Sequence, residues 1–378
     1  MVAKYFGEIV NIIRPRLTDH HGIHKSQSEL DFAIQFFDED IPLYVDPFLL
    51  WKSPSLQDQA LHTAITNSFN HLNYLIKKKR SDEAVSTLIK LSECEEVGLG
   101  VSKTRKGLQI GKGQAEQILS LFNDIPEYSQ FGFTHFEIIQ LYISGISKDR
   151  ISDIACNYIK SFLIDYTIEQ CELHGIPTEA CLIDCIYNYQ SNKFDLNQKV
   201  YLPVNPLTRE PLIFTPKRWL RFNPWISYED YFKSYCPRDE IFNPNEPVDK
   251  VKILNFNRDN YGIVEEYIKY KDKTSSDCKN DPLFSQIPVV SAKRKLGEIL
   301  KLNTGKEDGA DMKYEDLSAD LLATLFYPHL DFAQTQSRTE SGRHIRDLVF
   351  YNNRDIDFLD EIFTEYDNRQ LIIEMKNV

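Results

Sequence analysis

Apolar positions recur at helical spacing through the first third of the chain. In "SELDFAIQFF" the stripe is Leu30, Phe32, Ala33, Phe36 and Phe37, and "HTAITNSFNHLNYLI" repeats it. The basic tail Lys77 to Arg80 suits a helix C-terminus. "DEAVSTLIKL" and "GQAEQILSLF" predict two further helices. The helical period continues in "THFEIIQLYI", in the long run from Asp149 to Gly175, and in "TEACLIDCIYNY", with Gly175 and Pro177 as a stop between the last two.

The pattern then changes. "KVYLPVNPLTREPLIFTPKRWL" carries four prolines between short β-rich runs and predicts a hairpin-like region. Polar breaks at 236–250 and 272–282 flank one short helix, "NYGIVEEYIKYK". Helices follow in "SAKRKLGEIL" and "YEDLSADLLATLF". The chain closes as strand, strand, helix, strand: "LDFAQTQSRT", "HIRDLVFYN", "DFLDEIFTEY", "QLIIEMKN". The predicted class is α+β. A mostly helical sensor or assembly region spans 1–235, with a small β-hairpin element. A linker with a short helix spans 236–285, and a partial α/β domain spans 286–378.

Composition narrows the function. Of 378 residues, 42% are hydrophobic, enough for more than one core. The net charge of −12 restricts nucleic-acid contact to a local basic patch. Seven cysteines, an odd number in a long chain, read as reduced thiols and predict a cytoplasmic protein. No run of about 18 apolar residues predicts a membrane span.

The last strand carries the candidate chemistry. Metal-assisted phosphodiester hydrolysis needs hard oxygen ligands for Mg²⁺ and a cation near the attacked phosphate. Glu374 and Lys376, two residues apart on an apolar strand, share one face. Asp347 precedes the apolar run Leu348, Val349, Phe350 on another strand. The plainer reading of such a pair is a solvated charge pair on an exposed strand.

"SGRHIRDLVFYNN", a helix and "RQLIIEMKNV" together resemble the PD-(D/E)XK (restriction-endonuclease-like) nuclease superfamily over about residues 290–378. The resemblance implies Asp347 and Glu374 as metal ligands and Lys376 as the catalytic lysine. It also implies an acidic helix residue, best matched by Glu315 with Asp316 competing. The implied cofactor is Mg²⁺ or Mn²⁺ and the implied partner is DNA, with RNA left open. The implied role is a bacterial anti-phage defence or restriction effector, acting with a defence-system partner protein or as a homo-oligomer. In that family further strands and a helix follow the E-x-K strand, so the expectation here is a truncated domain.

Arg338, Arg343 and Arg346 surround the turn "TESGRH" and are candidate phosphate contacts. Lys217, Arg218 and Arg221 interleave with Trp219, Phe222 and Trp225 as a second candidate nucleic-acid surface. The competing readings are a solvated hairpin and a packed aromatic core.

Other motifs carry less. "GLQIGKGQAEQIL" is too short for a phosphate-binding P-loop and predicts an irregular loop leading into a helix; the ligand of the glycine-rich stretch 98–113 stays unnamed. Cys171, His174, Cys181 and Cys185 lack tight zinc spacing, and Cys181 with Cys185 fits one buried helix face. Asp46 before Pro47 predicts a turn. A second function class remains open, a non-catalytic regulatory or scaffolding protein acting through its helical region.

Overall fold

The structure is a computed structural model. It describes residues 16–23, 25, 27, 29–102, 105, 107, 109–244, 246–275, 278–280, 296–306, 309–326, 329–338, 345–354 and 356–377. Of 320, 323–324, 331–338 and 345 it describes the backbone alone. The chain divides into two compact units. One is 38–280, and the other combines 1–37 with 281–378. Helices and small antiparallel sheets make the class α+β, as predicted.

In the second unit, helix α1 is Leu17–His21. In the first, strand β1 (Tyr44–Val45) leads into α2 (Pro47–Lys52). Asp46 caps α2: its carboxylate accepts the Phe48 N–H at 3.0 Å, and Pro47 fills the first turn, where no N–H is needed. The long helix α3 (Leu56–Lys77) is capped by Ser55 and buries Ile65, Phe69 and Leu72. Then come α4 (Ser81–Leu91), α5 (Lys112–Asp124), α6 (Pro126–Phe131), α7 (Lys148–Tyr158) and α8 (Lys160–His174). Gly175 ends α8 in the left-handed conformation, φ 66°, which a glycine adopts without strain.

The segment after Pro177 departs from its predicted helix. It forms β2 (Glu179–Ile183), β3 (Ile186–Asn188), β4 (Lys193–Asp195) and β5 (Gln198–Leu202). Strand β2 pairs antiparallel with β5 and β3 with β4. A short apolar run does not separate the helix period from the strand period, and pairing with "QKVYL" decides it. Cys185 turns the chain at φ 59°, so Cys181 and Cys185 share no helix face.

Strand β6 (Leu220–Arg221) pairs with β1. Helices α9 (Tyr228–Ser234), α10 (Arg238–Ile241), α11 (Lys250–Asp259) and α12 (Tyr261–Lys273) complete the unit. Of residues 236–285, which the sequence set apart as a linker, the described ones up to 280 belong to this unit. The buried Asn257 donates to the Leu141 carbonyl at 2.8 Å and accepts the Tyr231 hydroxyl at 2.6 Å. Tyr267 is buried beside them.

The second unit continues with α13 (Ala310–Phe326), β7 (Leu330–Arg338), β8 (Ile345–Asn352), α14 (Asp357–Tyr366) and β9 (Gln370–Ile373). The three strands form one antiparallel sheet in the order β7-β8-β9. Leu348 and Phe350 from β8 pack with Ala319, Leu330, Leu359 and Met375, against Leu371 and Ile373. On the other face, Phe36 lies 5.7 Å from the ring of Tyr351, and the Arg16 guanidinium sits 4.0 Å over that ring.

Candidate functional site

Sheet register brings the terminal carboxylates together. The last rung between β8 and β9 is Leu348 opposite Ile373. Asp347 and Glu374 are the next residues beyond it, one on each strand. The Met375 N–H donates to Asp347 Oδ2 at 2.6 Å, which fixes the Asp347 carboxylate. Lys376 Nζ stands 3.8 Å from Asp347 Oδ2 and 3.9 Å from Glu374 Oε2. Asp347 is buried, whereas the Glu374 and Lys376 side chains are 55% and 70% exposed. The pole therefore opens to solvent from a rooted base.

Glu315 on α13 lies within electrostatic reach. Burial raises its pKa, Asp347 and Asp311 raise it further, Lys376 opposes them and Asp316 adds to the rise. Helix α13 thus presents more negative charge to a pole that already holds two carboxylates.

The end of β9 is held past its last rung. The Asn377 side chain donates to the carbonyls of Asn303 at 3.0 Å and Gly305 at 3.1 Å, and the Asn377 backbone carbonyl accepts the Gly305 N–H at 3.2 Å. These three bonds tie the segment carrying Glu374 and Lys376 to the 303–305 loop.

The donor chemistry fits Mg²⁺, which takes oxygen ligands and is held by one or two carboxylates together with water and substrate phosphate. Asp347 and Glu374 supply that number. Among the described residues no group of three His, Cys, Asp or Glu side chains stands in metal-holding geometry.

The basic candidates divide. Arg346 adjoins Asp347 on β8 and therefore projects to the opposite face of the sheet; its Nη1 is buried without a hydrogen-bond partner among the described residues. Arg338 ends β7 opposite Ile345, with its side chain outside the described residues, and Arg343 lies outside them altogether. Lys217, Arg218 and Arg221 belong to the other unit. Arg218 grips the fully buried Asp58 at 2.9 and 3.0 Å. Arg221 donates to the Asn223 and Lys279 carbonyls and lies over Trp225. The Lys217 carbonyl accepts from Asn280, and Trp219 is fully buried.

Two polar clusters in the 38–280 unit escaped sequence reasoning. His135 Nδ1 lies 3.2 Å from Glu137 Oε1, and the His62 ring is 5.6 Å from the His135 ring. All three residues are buried, and His62 Nε2 and Glu137 Oε2 have no hydrogen-bond partner among the described residues. Burial lowers the His62 pKa to about 4, with Glu137 opposing and His135 assisting. His135 and Glu137 are near neighbours in sequence, and only the fold brings His62 to them, so no local motif marks the cluster.

The second cluster lies under the glycine-rich stretch. Gly107 N–H donates to Glu93 Oε1 at 3.1 Å. A Cβ on Gly100, whose φ is 132°, would meet Asp149 Oδ1 at 2.5 Å. Burial raises the pKa values of Asp40, Glu93, Asp149 and Asp153, that of Asp40 to about 7. The glycines let backbone lie against carboxylates, where a P-loop would lie against phosphate.

No curated protein and no solved structure matches the chain. One family matches residues 22–227, a span that holds both buried clusters and ends before the carboxylate–lysine pole. That match covers more than half of the sequence, and the chain belongs to the family described as Domain of unknown function (DUF8370).

Proposed function

We propose that this chain is a Mg²⁺-dependent DNA endonuclease of the restriction-endonuclease-like type, serving as a defence or restriction effector. One observation carries the reading: Asp347 and Glu374 flank the last rung of a sheet, with Lys376 Nζ within 4 Å of both. Mg²⁺, when bound, would polarise the scissile phosphate and make a water nucleophilic at neutral pH.

The chain's own residues supply the rest. Asp347 offers a carboxylate already oriented by the Met375 N–H. Glu374 brings the second from a solvent-facing position, which leaves room for substrate. Lys376 presents an ammonium to the charge that develops on phosphate. Glu315 adds negative charge that favours a divalent ion at this pole.

The test is cleavage of supercoiled plasmid by the full chain. Cleavage is expected with Mg²⁺ and not with a chelator. Lys376→Ala should slow it by about 10²–10³, the usual cost of losing one positioned donor, while gel-shift affinity for DNA stays near wild type. Unchanged cleavage by Lys376→Ala would move the active site elsewhere.

A second reading has its own observation. The family match lies wholly outside the carboxylate pole, in the region of buried polar clusters. On that reading the chain is a scaffold or regulator acting through its 38–280 unit.

A further inference from the structure

Lys376 stands where a catalytic cation would be needed, and equally where a metal would sit. Its Nζ is 3.8 and 3.9 Å from the two carboxylates, beyond hydrogen-bond reach of either. Charge alone holds it there, and a side chain 70% exposed has room to leave. Asp347 differs, because the Met375 N–H pins it. The pole thus consists of one fixed carboxylate, one exposed carboxylate and one exposed ammonium.

A lysine ammonium is a compact, strongly hydrated point charge on a flexible stem. A divalent ion bound by the same two carboxylates would lie within a few ångströms of it, and two like charges at about 4 Å repel even in water. The two cations would compete for one position.

We propose that Lys376 is a tethered counter-ion that fills the cation position of this pole and is displaced outward when a divalent ion binds. This rests on the metal-site reading given above and adds a regulation to it. Before loading, the lysine neutralises the repulsion among Asp347, Glu374 and the acidic face of α13. Loading releases the ammonium toward solvent, where substrate phosphate arrives. Metal occupancy and delivery of the lysine to phosphate are therefore coupled in one displacement.

The experiment is calorimetric titration of the metal-free full chain with Mn²⁺. Lys376→Met should bind Mn²⁺ about three- to tenfold more tightly than wild type, because the competing charge is gone. Lys376→Arg should stay within about twofold of wild type, because the charge remains. Thermal melting without metal confirms that each variant is folded. Equal or weaker binding by Lys376→Met would overturn the proposal, and so would the absence of Mn²⁺ binding in all three proteins. Tighter binding by Lys376→Met in a chain that cleaves no DNA would support the counter-ion and remove only the nuclease reading.

Discussion

His62 shows what burial does to one side chain. It projects from α3 into a space shared with His135 and Glu137, and its Nε2 has no hydrogen-bond partner among the described residues. Burial disfavours the charged ring and lowers its pKa to about 4. The unfolded chain binds this proton near the ordinary value of about 6.5. His62 therefore contributes stability that is fully present above about pH 6.5 and is lost as pH falls toward 4. Asp46 runs the other way. Burial raises its pKa to about 7, so its contribution is present below the ordinary carboxylate value and is lost as pH rises toward 7. The total curve mixes the two, and a variant separates them. Relative to wild type, His62→Gln should gain about 2 kcal/mol in chemical denaturation when pH drops from 7.5 to 5. A stability gap that does not change with pH would show that His62 is not held neutral.

At the same scale, residues with local signals were legible and residues with distant partners were not. Asp46 before Pro47 reads as a chain reversal from sequence, and it caps α2. The pairing of Arg218 with Asp58 spans two distant segments, and no spacing rule reaches it. Burial alone would raise the Asp58 pKa. Hydrogen bonds from Arg218 and Ser53 outweigh it, and the carboxyl is lowered. An arginine so engaged reads in sequence like one free to meet phosphate.

Among elements, the end of β9 has the sharpest consequence. Just past Lys376, Asn377 makes three hydrogen bonds to the 303–305 loop. The Met375 N–H, bonded to Asp347 Oδ2, reports on this anchor. In Asn377→Ala, amide hydrogen exchange at Met375 should accelerate by about tenfold, corresponding to roughly one net hydrogen bond. Unchanged exchange would mean that Asp347 alone holds the segment. The strand, strand, helix, strand order of this unit was legible because the apolar pattern is locally unambiguous. The stretch from Glu179 to Asn188 was not, because its partner strands, β4 and β5, lie downstream and supply what the local pattern lacks.

At the scale of the whole molecule, the α+β class followed from periodicity, while the grouping into units did not. Residues 1–37 belong to the compact unit that contains 281–378, a long-range association that composition does not encode. Arg16 over Tyr351 and Phe36 beside it carry that association. No helix among the described residues is long and apolar enough to cross a membrane. The family match lies in one stretch of the chain and the carboxylate–lysine pole in another, so the account stands on whether that pole does chemistry.

The most direct measurement is the rate of plasmid cleavage by wild type and Asp347→Ala across a titration of Mg²⁺ and then Mn²⁺. Asp347 is proposed to hold the metal and Lys376 to act on the charge that develops on phosphate, so their losses should differ in kind. The account predicts cleavage by wild type in Mg²⁺ and none by Asp347→Ala. It also predicts partial recovery of Asp347→Ala in excess Mn²⁺, and no such recovery in Lys376→Ala. Wild-type protein that cleaves nothing in either metal, or Asp347→Ala that cleaves in Mg²⁺ as fast as wild type, would contradict it.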